Sequence, residues 1–145
     1  MKQLTHKFVE YMPESLDEGV VYVSIPFSLV SHKCCCGCGE EVVTPLSPTD
    51  WELIFDGDTV SLYPSIGNWN FKCRSHYWIR RNRVEWAPQW SGEQIKAVRY
   101  LDSLAKDRYF RRVEEKVSVV EPSPKSSVAK RKRKGILPDF RREKD

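Results

Sequence analysis

No apolar run in this chain approaches the roughly 18 residues of a membrane-spanning helix, and no apolar signal-peptide segment follows Met1. The expectation is a cytoplasmic protein with no membrane partner. No internal repeat is visible, so nothing suggests a repeat architecture. No His-x-x-x-His pair occurs, which argues against a zinc-hydroxide protease, and no nucleophile-elbow motif is present. Histidine is scarce, with three in 145 residues. Charge of one sign is missing from most of the chain. On residues 117–145, nine Lys and Arg against four Asp and Glu give +5, which leaves −1 of the net +4 for the remainder. The body therefore shows no electrostatic preference for nucleic acid.

The five cysteines occupy two places only. Cys34, Cys35, Cys36 and Cys38 crowd one short loop, and Cys73 stands in Cys73-Arg74-Ser75-His76. An odd, bunched set fits a disulfide framework poorly and fits metal or redox chemistry in a reducing compartment. Structural zinc sites are closed by four thiolate or imidazole ligands from two chain segments, and this spacing matches them. Gly37 and Gly39 follow ligand candidates and let the backbone turn tightly. Ordinary buried thiols are the alternative, but four so close together cannot all face a core. The preferred ligand set is Cys36, Cys38, Cys73 and His76, with Cys34 able to replace one of them and Cys35 the most dispensable. His32, two residues before Cys34, is a supporting group or an alternative ligand. His6 reads as a half-exposed strand residue.

The first 90 residues read as strands and turns. His6–Tyr11 and Val20–Ile25 are separated by a polar break, and Phe27–His32 and Glu41–Thr44 flank the cysteine loop. Trp51–Phe55 and Thr59–Leu62 flank Asp56-Gly57, a two-residue hairpin signal. Tyr77–Arg80 and Arg83–Trp86 form a hairpin around Arg81-Asn82, with Trp78 and Trp86 available as a cross-strand pair. After Pro88, Ser91 as N-cap and Ile95, Val98, Leu101 and Leu104 at helical spacing predict an amphipathic helix over about 92–112, packed on the sheet. The fold class expected is mainly β with one C-terminal helix, a small zinc-ribbon-like sheet. Residues 1–116 would form this domain and 117–145 a disordered basic tail, with Lys130–Lys134 as a pentabasic run.

Between the cysteine clusters lies Ser61-Leu62-Tyr63-Pro64-Ser65-Ile66-Gly67-Asn68-Trp69, a strand running into a rigid turn that carries Ser65. If cysteines alone close the metal site, His76 is free to act as general base for Ser65, with Asn68 or backbone amides stabilising an oxyanion. Asp50, Asp56 and Asp58 are candidates to orient the imidazole. The competing view is a turn serine beside a ligand histidine, since His76 cannot easily do both jobs.

Cys34-x-Cys36-Gly37-Cys38-Gly39, Thr44-Pro45-Leu46, Trp51, Asp56-Gly57, Ser61-Leu62, Pro64-Ser65-Ile66-Gly67-Asn68-Trp69 and Cys73-x-Ser75-His76-Tyr77-Trp78-Ile79 together resemble a small bacterial family, over roughly residues 30–87. That family usually has proline where this chain has Cys35, which supports a non-ligand role there. Its members look like companions of E1-like (ThiF-type) and E2-like proteins and of ubiquitin-like proteins in gene clusters linked to phage defence. The resemblance implies the handling of a ubiquitin-like modifier, with that modifier and the E1-like and E2-like proteins as partners. Two roles are expected from it. One is a serine-type peptidase that processes or removes the modifier, with Ser65 as nucleophile and His76 as base. The other is a non-catalytic zinc adaptor that binds the modifier or its E1/E2 partner through Trp51, Trp69 and Trp78. Nucleic acid is not an expected partner, except through Lys130–Lys134.

Overall fold

The computed structural model describes residues 2–119. The basic tail read from the sequence, apart from its first three residues, lies outside the described residues. Eight strands precede one helix: β1 Thr5–Phe8, β2 Val20–Ser24, β3 Leu29–Lys33, β4 Glu41–Pro45, β5 Glu52–Phe55, β6 Val60–Gly67, β7 His76–Arg80, β8 Arg83–Trp86 and α1 Gly92–Val119. The expected class, mainly β with a single C-terminal helix, is the one observed. The strands divide between two four-stranded sheets, ordered β1-β2-β3-β4 and β5-β6-β7-β8, rather than forming one.

Period-two patterning explains the division. Val42 and Thr44 of β4 point inward while Val43 is exposed, and Val60, Leu62 and Ile66 of β6 are buried while Tyr63 is exposed. The inward residues of both sheets join in one cluster: Val21, Val23, Val30 and Val42 from the first, Val60, Leu62, Ile66, Tyr77, Ile79 and Val84 from the second. Each fully buried aliphatic side chain contributes about 1.5–3 kcal/mol, so this interlayer is the main source of cohesion. β2 is buried on its other side as well, because the segment crossing back to it from β1 covers it with Leu16 and accepts the Tyr22 hydroxyl on Asp17 at 3.0 Å.

Several local expectations change. Arg81 and Asn82, with φ of 48° and 59°, make the two-residue turn expected between β7 and β8. The Asp56-Gly57 turn is longer, because Asp56 accepts hydrogen bonds from the amides of Asp58 and Thr59 and from the Thr59 hydroxyl. Trp78 faces Glu85 across the ladder and packs on Tyr63, while Trp86 pairs with Tyr77, so the expected Trp78–Trp86 pair is not made. Ser91 and Gln94 cap α1 reciprocally, each side chain accepting the other's amide. The helix runs to Val119, beyond the expected end, and only Ile95 is buried on it. Arg99 to Asn70 and Lys106 to Asp50 hold it further, while Leu101 and Leu104 stay exposed. No helix among the described residues is long and apolar enough to cross a membrane.

One irregularity matters for function. Leu62 pairs with Ile79 and Ile66 with Tyr77, so β6 carries two more residues than β7 over that interval. The extra length is a bulge at Tyr63-Pro64-Ser65. Proline brings no N–H to a ladder and is tolerated at such a point, and bulges re-aim side chains beside active sites.

Candidate active site and candidate metal centre

The cysteine loop joins β3 to β4 in the first sheet, and Cys73 precedes β7 in the second. The Sγ atoms of Cys34, Cys36, Cys38 and Cys73 lie within 4.8 Å of one another. Cys34 is 3.4 Å from Cys36 and 3.8 Å from Cys73, and Cys38 is 3.8 Å from Cys73. A tetrahedral ion with bonds of about 2.3 Å to sulfur has S···S edges of about 3.8 Å, so the four sulfurs fit one. Gly37 and Gly39, with φ of 88° and 86°, adopt the left-handed backbone that brings three cysteines of one loop to a single point.

Cys36 and Cys73 are shifted in opposite directions. Burial opposes ionisation of Cys73, but the Ser75 hydroxyl and amide and the thiols of Cys36 and Cys38 outweigh it and bring the group down to about 7. Desolvation and then the neighbouring thiols push Cys36 up to about 12. The first thiolate is stabilised by the remaining S–H groups, and its charge then makes further ionisation harder. A bound cation removes that conflict, which is the chemical sense in which this donor set suits a metal ion.

Of the sequence-derived ligands, Cys34, Cys36, Cys38 and Cys73 come together, and His76 does not join them. Both nitrogens of His76 are engaged elsewhere, with the Pro88 carbonyl and the Ser65 hydroxyl. Cys35 is also outside the cluster. It is buried in the core, which raises its thiol to about 11, and its amide donates to the Tyr77 hydroxyl at 3.5 Å. His32 is buried too, with Nε2 2.7 Å from the Tyr77 hydroxyl, and burial lowers it to about 4, so it is neutral.

His76 begins β7 opposite Gly67, and the bulge presents Ser65 beside it. His76 Nε2 is 2.9 Å from Ser65 Oγ, and Nδ1 is 2.7 Å from the Pro88 carbonyl oxygen. A carbonyl only accepts, so Nδ1 carries the proton and Nε2 offers its lone pair to the Ser65 hydroxyl. This is the tautomer a general base for serine requires. The indoles of Trp69 and Trp90 stack on each other at 5.6 Å, and the imidazole packs at an angle against both, with ring centroids 4.9 Å from Trp69 and 4.7 Å from Trp90. Ser65 and His76 line a cleft of about 320 Å³ together with Trp51, Trp69 and Trp90 and with Ile95, Val98 and Lys106 of α1.

Three expectations are corrected by this geometry. Asn68 does not face the serine: its amide nitrogen donates to the Ser75 and Tyr77 hydroxyls at 3.0 and 3.4 Å. None of the aspartates orients His76, since Asp50 is bonded to Ser47 and Lys106 and Asp56 holds its own turn, as does the amide of Asp58. Nor do Trp51, Trp69 and Trp78 form a common exposed face, because the first two are half-buried walls of the cleft and Trp78 packs with Tyr63 and Arg80. The residues that sequence reasoning missed are Pro88 and Trp90. A backbone carbonyl leaves no side-chain signature, and one tryptophan before a helix cap carries no positional information.

No curated protein and no solved structure matches this chain at a significant level. The model of one protein family matches residues 8–87, a span that holds all four clustered cysteines, Ser65 and His76 and stops one residue before Pro88. On that match the chain belongs to the bacterial ubiquitination-like system serine protease (BubE) family.

Proposed function

We propose that the chain is a serine peptidase that processes or removes a ubiquitin-like modifier, with Ser65 as nucleophile, His76 as general base and zinc as the ion of the four-cysteine site. The observation that carries the reading is the hydrogen-bonded series Ser65 Oγ, His76 Nε2, His76 Nδ1, Pro88 carbonyl inside a cleft. Ser65 Oγ attacks the carbonyl carbon of the scissile amide as its proton passes to His76 Nε2. The imidazolium keeps its Nδ1–H on Pro88 and then protonates the leaving amine, so the C–N bond breaks and an ester to Ser65 remains. Water, deprotonated by His76, hydrolyses that ester and restores the hydroxyl. A neutral carbonyl fixes the tautomer as an aspartate would but adds less stabilisation to the imidazolium.

A cleft of about 320 Å³ lined by three indoles and by α1 suits an extended chain end better than a folded surface. Such an end is what a ubiquitin-like modifier presents at its conjugation site, and the family description supports that assignment. The E1-like and E2-like enzymes of the same system would then supply the conjugates. Zinc suits four thiolates in a tetrahedron, and a closed site of this kind is structural, which leaves the chemistry to the side chains. Five free cysteines are consistent with a reducing cytoplasm.

Ser65→Ala tests the reading. Cleavage of a modifier–reporter fusion should fall by at least about a thousandfold, with zinc content and melting temperature close to wild type, and a fluorophosphonate probe should label the wild type but not the variant. Cleavage by Ser65→Ala at the wild-type rate would remove Ser65 as the nucleophile.

A further inference from the structure

Beneath the four sulfurs runs a buried polar chain that the serine and histidine do not use. Asn68, Ser75, Tyr77 and His32 are all at most 8% exposed. Asn68 Nδ2 donates to Ser75 Oγ at 3.0 Å and to Tyr77 Oη at 3.4 Å, and lies 3.8 Å from Cys34 Sγ. Ser75 Oγ is 3.0 Å from Cys34 Sγ and 3.5 Å from Cys73 Sγ. Tyr77 Oη lies 2.7 Å from His32 Nε2 and also receives the Cys35 amide.

These contacts have a direction. The Asn68 amide nitrogen has two hydrogens and gives one to each hydroxyl oxygen. Tyr77, having accepted from Asn68 and Cys35, turns its own hydrogen to His32 Nε2. That places the imidazole proton on Nδ1, the buried nitrogen with no partner among the described residues. Ser75, having accepted from Asn68, turns its hydrogen away from the amide and toward sulfur. The Ser75 hydroxyl hydrogen is therefore the one aimed at the Cys34 sulfur. A neutral thiol is a weak acceptor, whereas a thiolate rewards such donors with charge-assisted bonds.

We propose that Ser75 and Asn68 form an outer hydrogen-bonding layer of the four-cysteine metal site. Ser75 donates to the Cys34 sulfur, with Cys73 within its reach, and Asn68 fixes the direction of that hydroxyl. Both are positioning residues for the thiolate ligands. The inference rests on the reading of the four cysteines as a metal site and is independent of whether Ser65 hydrolyses anything.

Zinc affinity of the full chain, measured by competition with a chromophoric chelator, tests the layer. Partners of this kind are worth about 10–100-fold in metal affinity. Ser75→Ala should lose an amount in that range, and Asn68→Asp, which replaces the donor with an acceptor of the same shape, at least as much. The pair Ser75→Thr and Ser75→Val separates the hydroxyl from packing, since the two side chains have the same shape. Thr should stay within a few-fold of wild type and Val should not. With cobalt(II) in place of zinc, loss of the hydrogen bond should move the sulfur-to-metal charge-transfer band of Ser75→Ala to longer wavelength. Wild-type affinity and an unmoved band in Ser75→Ala, or equal affinities for the Thr and Val variants, would overturn the proposal. A wild-type chain that takes up neither ion would remove the metal centre and this layer together.

Discussion

Gly67→Ala tests how the histidine is held. Gly67 ends β6 opposite His76, and the Trp69 indole lies across its α-carbon. A methyl group at this position would stand 2.7 Å from Trp69 Cε2 and 3.1 Å from Cζ2, with the indole nitrogen closer still. Carbon atoms in contact are about 3.5–4.0 Å apart, so the indole must retreat by most of an ångström. Gly67 is not among the left-handed glycines, which makes the conflict one of space alone. Trp69 is one of the two rings packed against His76, so its displacement reaches that imidazole directly. Overpacking of this kind costs about 1–3 kcal/mol, or a melting-temperature drop of roughly 3–10 °C in a domain of this size. A shift of about 1 Å in a catalytic group costs on the order of a hundredfold in rate. Thermal melting and kcat on a modifier–reporter fusion would read the two effects. Trp69→Ala removes the clashing ring, so Gly67→Ala combined with Trp69→Ala should melt no lower than Trp69→Ala alone. A Gly67→Ala variant with wild-type melting and turnover, or strictly additive losses in the double variant, would refute the packing argument.

Two further outcomes follow from the geometry. Cys38→Ser should abolish stoichiometric zinc binding, whereas Cys35→Ser should keep the metal and lose about 1–3 kcal/mol of stability through its buried position, as read by metal analysis and chemical denaturation. Asp56 has its carboxylate held at about 2, below its ordinary value, by the Thr59 amide and hydroxyl and the Asp58 amide. Since the folded form binds its proton less readily than the unfolded form, the contribution of this turn is complete above about pH 4 and is lost as the pH falls toward 2. The stability difference between wild type and Asp56→Ala should therefore narrow over that window in an acid titration, and a difference constant from pH 5 to pH 2 would count against the turn.

Legibility in the sequence tracked how local each signal was. Clustered cysteines at knuckle spacing, an Arg81-Asn82 turn and a capped helix are set by neighbours in the chain, and each is visible in the residue order. The division into two sheets depends on which strands meet, and alternation in β4 and β6 reports that a face is buried without naming what covers it. The ligand set was ambiguous for a related reason. Cys73-x-x-His76 has the spacing of a metal half-site, but Cys73 sits in the turn before β7, Arg74 after it takes a left-handed φ of 45°, and His76 enters the strand facing Ser65. The position of Asn68 in a turn near Ser65 suggests reach toward the serine, whereas its buried amide goes to the Ser75 and Tyr77 hydroxyls. Pro88 acts through its backbone alone, so nothing in its identity marks it.

The order Cys73, Ser75, His76, Tyr77 now has a physical reason. Ser75, just before β7, and Tyr77 within it reach the sulfur side and meet Cys34, Asn68 and His32, while His76 between them, on the opposite face of the strand from Tyr77, reaches the cleft and meets Ser65. A slip of one residue in β7 would exchange the two sets and destroy both sites together. Register is therefore worth protecting, and the cysteines could protect it from one end: three sulfurs come from the first sheet's loop and the fourth from the chain just before β7, so an ion among them would pin that strand to the opposite sheet. The other end is held by backbone, since the amide of Ala87 returns to the His76 carbonyl and the Pro88 carbonyl takes the His76 ring. A histidine fixed from both directions needs no carboxylate to hold it, so the serine site proposed here would not require an aspartate.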